Sequence, residues 1–379
     1  MITRIQIRNV NAIDFCDINF CKSKYKYLDN MIYNDKVVNP VAFYGSNGSG
    51  KSSFFQAINH VISLLINEPK DFHSFIPNNL NAENHLRKDE RDKIPFQKSI
   101  QNLCSSVTIF FEINKKEYEY FIETSLLGNI INEFLKCDGS IIFNRELESY
   151  EYNDKNYETK TNLYPTLRRL ASDLQDDIRI TESFDFLSNI AYVDAFKQYP
   201  LSKNIKEQNY LDLIVEKSEE VNELLKEYKE FPLYTVYSVP TSEGSKRYSV
   251  NIEAGDRVLQ LPYGLISGGM KSQSLLLSIL LSLPENGVLF VDEIEDALHP
   301  LTILDFIKVA QDRNIQLIFS SHNTYLLQKL RPDQIIFANW KNGYSTYKKL
   351  SDIYPNIREI NNIEKMYFSN MFDEEIKNG

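Results

Sequence analysis

Eight consecutive residues, Gly45-Ser46-Asn47-Gly48-Ser49-Gly50-Lys51-Ser52, constrain this chain more than any other stretch of its 379 residues. Glycines at this spacing let backbone N–H groups turn toward a common point, a lysine brings positive charge to it, and the last hydroxyl can reach a metal ion. The flanks separate a phosphate-binding loop from an ordinary Gly/Ser surface turn. Before it, VVNPVAFYG (37–45) is the apolar run of a buried strand. After it, SSFFQAINHVISLLI (52–66) puts Phe55, Ile58, Val61, Ile62 and Leu65 at the spacing of an amphipathic helix. Strand, glycine loop and helix together predict an α/β fold in which a helix N-terminus faces phosphate groups. The expected contacts run from Gly45 through Ser52 with Ser53, Lys51 on the β- and γ-phosphates and Ser52 on Mg²⁺.

Two further strand ends carry chemistry. Val288-Leu289-Phe290-Val291-Asp292-Glu293 is four apolar residues followed by two acids. This pattern places both carboxylates at the C-terminal end of a buried strand, where α/β sheets bind ligands. Asp292 is the expected Mg²⁺ holder and Glu293 the group that orients the attacking water. Leu317-Ile318-Phe319-Ser320-Ser321-His322 ends a second apolar run in a histidine that can reach a γ-phosphate. Ser267-Gly268-Gly269-Met270-Lys271 opens a helical pattern with a hydroxyl and two glycines, which is an anion site by construction.

Between these motifs the chain reads as an insertion. The opening ITRIQIRNVNAIDFCDINF alternates as two strands turning near Asn9 and Asn11, SSVTIFFEINKKEYEYFIET (105–124) as a hairpin turning near Asn114 and Lys115, and IIFNRELESYEYN as its extension. Residues 67–96 are polar and proline-punctuated, 162–230 are helical in pattern, and YSVNIEAGDRVLQLPYG returns to antiparallel strands. The last third alternates helix and strand, which implies a parallel sheet with crossover helices. The expected division is 1–66 with the loop, 67–245 as β-hairpin and helical insertion, and 246–379 with the signature, the acidic strand end and the histidine.

Composition narrows the function classes. A formal charge of −10 disfavours a broad surface tracking nucleic-acid phosphates. The 23 Tyr and 23 Phe fall largely in strand patterns such as VTIFFEI, where aromatic residues serve the core. Cys16, Cys21, Cys104 and Cys137 lack metal-site spacing. No run of 18 or more apolar residues is present, and the cytoplasm is the expected location.

The order of glycine loop, SGG, acidic strand end and strand-end histidine resembles that of ABC-type ATPases, in particular the soluble group that includes the SMC, RecF and OLD ATPases. ITRIQIRNV, Phe43-Tyr44-Gly45, FEINKKEYEYFIE, FNRE at 143–146, Asp292-Glu293-Ile294-Glu295-Asp296-Ala297-Leu298-His299-Pro300 and the tail NIREINNIEKMYFSNMF are similar to the AAA-like prokaryotic defence ATPases of the abortive-infection AbiLi or RloA kind. This resemblance implies an ABC-type fold with a mixed sheet, an antiparallel β subdomain and a helical insertion. It also implies ATP hydrolysis through Lys51, Glu293 and His322, with Ser267, Gly268 and Gly269 closing on the nucleotide of a head-to-tail partner. Asp296 would act across that dimer, and His299 is a further candidate near the nucleotide. Gln97 is the candidate for the family's metal-contacting glutamine loop, and Met270 stands where the family signature continues with Gln. The implied effector is a separate chain such as a TOPRIM or RloB-like nuclease, because the 57 residues after His322 are too few for one. The competing expectation is a DNA-associated ATPase of the RecF kind, against which the net acidity weighs. A transporter subunit is disfavoured by the separation of 215 positions from Ser52 to Ser267.

Overall fold

Alternating apolar residues at the start of the chain form β1 (Ile2–Val10) and β2 (Ile13–Asn19), joined where Asn9 and Asn11 take φ of 53° and 49°. Asparagine tolerates that left-handed backbone. In the computed structural model the described residues are 1–25, 28, 31–33, 36–67, 104–125, 128–159, 161–174, 176–195, 199–203, 210–227, 233–241, 244–357 and 361–368. After β2 come β3 (Ile32–Tyr33), β4 (Val37–Val38), β5 (Val41–Tyr44) and helix α1 (Lys51–Ile66). The single strand expected over 37–45 is thus two, split at Asn39-Pro40, where the proline lacks the N–H needed to continue a ladder.

The expected hairpin is present as β6 (Cys104–Ile113) and β7 (Lys116–Ser125), with Asn114 and Lys115 at φ of 51° and 65°. It continues through β8 (Ile130–Cys137), β9 (Ser140–Glu146), β10 (Ser149–Tyr152) and β11 (Lys155–Glu158). These strands make one antiparallel sheet in the order β11-β10-β9-β8-β7-β6-β1-β2.

The stretch expected to be helical from 162 to 230 is only partly so. Helices α2 (Thr166–Asp173), α3 (Ile178–Ser188) and α4 (Tyr210–Glu227) are interrupted by strands β12 (Ala191–Asp194) and β13 (Tyr199–Leu201). A short apolar run such as AYV has no period that distinguishes strand from helix. Its neighbour decides, because β12 pairs in parallel with the acidic strand that comes later in the chain. Strands β14 (Tyr234–Pro240), β15 (Lys246–Ala254) and β16 (Arg257–Pro262) form a separate antiparallel sheet.

The last third follows its pattern: α5 (Gly268–Ser282), β17 (Val288–Asp292), the single turn α6 (Ile294–Ala297), α7 (Pro300–Asp312), β18 (Gln316–Ser320), β19 (Ile335–Lys341) and β20 (Tyr344–Lys349). The central sheet runs β13-β12-β17-β18-β5-β19-β20, parallel from β12 to β19 with an antiparallel strand at each edge. This is the expected α/β arrangement of a mixed sheet, an antiparallel β layer and helical segments.

Helix α1 fills the space between the two large sheets, burying Phe54, Phe55, Ile58, Val61, Ile62 and Leu65 against β1, β6 and the near face of the central sheet. Each such side chain contributes about 1.5–3 kcal/mol when withdrawn from water. Helices α4, α5 and α7 cover the opposite face. Gln316 joins the sheets by imitating a strand partner, its amide accepting from Ile2 N at 2.8 Å and donating to Ile2 O at 2.9 Å. Arg145 of the FNRE stretch is fully buried and donates to the carbonyls of Leu147 and Tyr164, while buried Glu133 accepts from the N–H groups of Thr166 and Leu167 at the start of α2. The two residues fasten the start of α2 and the segment before it to the sheet. All four cysteines are free, and among the described residues no helix is long and apolar enough to cross a membrane.

Candidate functional site

Because β5, β17 and β18 are parallel neighbours, their C-terminal ends open at one place. Residues 45–50 leave β5 there and turn into α1. Gly45 and Gly50 take φ of 155° and 101°, and neither has room for a side chain. A Cβ at Gly45 would strike the carbonyl oxygen of Ala338, and one at Gly50 would strike the side chain of Ser345. Ser46, Asn47 and Gly48 are exposed, so the rim of the loop is open to a ligand.

Lys51 begins α1 and is 5% exposed. Its ammonium donates to Gly45 O at 2.9 Å and Ser46 O at 3.4 Å, and lies 2.9 Å from His322 Nε2. An ammonium has only hydrogens to offer, so His322 Nε2 accepts and the ring is neutral with its proton on Nδ1. Burial and then the Lys51 charge hold the His322 pKa below its usual value. Burial likewise lowers the Lys51 pKa, opposed by Asp292, Glu295 and Glu293.

Asp292 ends β17 and is 4% exposed. Its Oδ1 accepts from Ser320 Oγ at 2.5 Å, and Ser320 Oγ in turn accepts from Glu293 N at 2.8 Å. Burial raises the Asp292 pKa, while hydrogen bonds from Ser320 and Ser52 oppose the rise. Ser52 and Asp292 are therefore in contact across the loop. Glu293 takes a left-handed φ of 57°, which turns its side chain out of the strand direction at the sheet end. Burial, followed by the charges of Asp292, Asp296 and Asp194, raises its pKa. The peptide N–H of His322 donates to Glu295 Oε1 at 2.5 Å, which ties the tip of β18 to the turn after β17.

Of the residues singled out from sequence, Lys51, Ser52, Asp292, Glu293 and His322 gather at this point. Gln97 lies outside the described residues. Ser267 caps α5, its Oγ accepting from Met270 N at 3.3 Å, and among the described residues no hydrogen bond or ion pair joins Ser267, Gly268 or Gly269 to residues 45–52. Those three residues are exposed, and a Cβ at Gly268 or Gly269 would meet nothing within 4 Å. Asp194 was missed. It ends β12 in register with Asp292, and Ala195 N donates to Asp292 O at 3.0 Å. Its only signal in the sequence is an acid after the short apolar run AYV, inside a stretch whose overall pattern is helical.

An oxygen-only pair of a hydroxyl and a buried carboxylate suits Mg²⁺, which is commonly held by one or two protein oxygens together with substrate phosphates. Ser52 and Asp292 form such a pair at the mouth of a glycine loop. Among the described residues no group of three His, Cys, Asp or Glu side chains gathers as a metal cage.

A family model described as "AAA domain, putative AbiEii toxin, Type IV TA system" matches residues 41–328. No curated protein matches the chain. Among solved structures the chain is similar to an SMC head domain from Thermotoga maritima at 14% identity, covering 92% of this chain and 98% of that one with a TM-score of 0.47. An SmcHead bound to the C-winged helix domain of ScpA is similar at 15% identity, with 92% and 97% covered and a TM-score of 0.48. A Smc head domain with an extended coiled coil, bound to the C-terminal domain of ScpA derived from Pyrococcus furiosus, is similar at 13% identity, with 99% of each chain covered and a TM-score of 0.46. With the glycine loop, the acidic strand end and the strand-end histidine all inside the matched residues, this chain belongs to the AAA-domain family of that description.

Proposed function

We propose that the chain binds ATP with Mg²⁺ on residues 45–53 and hydrolyses it, and that this cycle switches a separate effector protein in defence against phage. The reading is carried by the convergence of Lys51, Asp292, Glu293 and His322, from three neighbouring strand ends, on one helix N-terminus. Mg²⁺ held by Ser52 and Asp292 would neutralise charge on the β- and γ-phosphates. Lys51 exchanges its two loop carbonyls and His322 for phosphate oxygens, which frees the imidazole to face the γ-phosphate. Glu293, with its raised pKa, orients the attacking water and accepts its proton.

Ser267, Gly268 and Gly269 support pairing with a second copy. Among the described residues nothing lies close enough to need glycine at 268 or 269, so a close approach from outside is the reason that fits the open space around them. The exposed start of α5 offers unpaired N–H groups to a phosphate. The role as a switch on an effector rests on the sequence resemblance and on the toxin–antitoxin system named in the family description.

Calorimetric titration with ATP and Mg²⁺ tests the site: the unmodified chain binds and Lys51→Ala does not. Equal affinity in the two would remove the loop from the account. Cells carrying the chain with its neighbouring reading frame test the biological role, since phage resistance that persists in the Lys51→Ala variant would contradict it.

A further inference from the structure

Strands β19 and β20 lie beyond the residues matched by the family model, yet they form one wall of the glycine loop. Phe337 of β19 stands opposite Tyr44 of β5, so β19 continues past the end of β5 alongside the loop. On β20, Ser345 abuts Gly50, and Tyr347 Oη donates to Gly50 O at 2.6 Å. Ser345 N also donates to Ala12 O at 2.8 Å, which brings the β1–β2 turn to the same edge.

Trp340 is paired with Ser345 in the antiparallel register of this hairpin. Directly opposite residues share a face with Cβ atoms about 5 Å apart, so the indole stands one residue pair from Gly50. It is 48% exposed and is the chain's single tryptophan.

The distribution of charge orients a bound nucleotide. Asp292, Glu293 and His322, the groups suited to a γ-phosphate and its divalent ion, all come from β17 and β18 on one flank of the loop. The opposite flank, β19 and β20, is left for the base. A flat, half-exposed indole there is the side chain best suited to lie against a purine.

We propose that Trp340 is the base-stacking platform of the nucleotide site, so that the chain distinguishes a purine nucleotide from a bare polyphosphate chain. This inference rests on the reading of residues 45–53 as a nucleotide loop. The chain is titrated with ATP and separately with tripolyphosphate, each with Mg²⁺, by calorimetry and by intrinsic tryptophan fluorescence. ATP is expected to change the fluorescence and tripolyphosphate to leave it unchanged. Trp340→Ala is expected to weaken ATP by about 5- to 100-fold and tripolyphosphate less than twofold, with Trp340→Phe recovering most of the ATP affinity. ATP binding equally well to Trp340→Ala overturns the proposal, as does equal weakening of both ligands. Failure of the unmodified chain to bind either ligand instead overturns the loop assignment on which the proposal stands.

Discussion

Two glycines of one loop make a test at the level of single residues. Gly45 is enclosed, facing the carbonyl of Ala338 on a strand whose pairing with β5 resists movement, whereas Gly48 at φ 78° opens onto solvent. Gly45→Ala should therefore destabilise the chain by about 2–4 kcal/mol, combining overpacking with backbone strain. Gly48→Ala meets only the left-handed penalty of about 1–2 kcal/mol. Urea denaturation of the two variants checks the order, and equal losses would contradict the packing described for Gly45. His60, on α1 beside Thr124 Oγ1 at 3.3 Å, gives a second test. Burial pushes its pKa down to about 4, against 6.5 for a free imidazole. The fold binds the neutral ring, so its contribution is complete above pH 6.5, declines as pH falls toward about 4 and is then lost. The loss attributable to this residue is on the order of 3 kcal/mol, measurable as the difference between the unmodified chain and His60→Gln across that range.

Among the elements, the junction between the two sheets concentrates energy in one side chain. Gln316→Leu keeps the size of the residue but leaves Ile2 N and Ile2 O buried without partners. Unsatisfied groups of that kind cost about 1–3 kcal/mol each, so the substitution should lower stability by about 2–5 kcal/mol. Thermal unfolding of the variant measures it, and a neutral outcome would mean that the sheets are not joined this way. Elements with a strong period or a distinctive turn were legible in the sequence: the alternation of β1, β6 and β7, the turns at Asn114 and Asn9, and the helical spacing along α1. Elements defined by a neighbour were not. β12 is short and apolar throughout, and only its pairing with β17 makes it a strand. That omission hid Asp194, because a residue placed by a distant partner carries no local mark. The same limit applies to β19 and β20, whose contacts with Gly45 and Gly50 join residues nearly 300 positions apart.

At the scale of the whole molecule, the sites fall into two groups. Lys51, Ser52, Asp292, Glu293 and His322 meet within one chain, while Ser267, Gly268 and Gly269 are presented to solvent at the start of α5. On the proposed reading, a nucleotide on the first group would be completed by the second group of another copy, and assembly would then depend on ATP and disassembly on its cleavage. Glu293 is where these meet, since its removal should spare binding and stop cleavage. The most direct measurement is phosphate release by Glu293→Gln and by the unmodified chain at saturating ATP and Mg²⁺, with ATP affinity determined for both. The account predicts turnover reduced by at least about 100-fold with ATP affinity little changed. Release at the unmodified rate would contradict it.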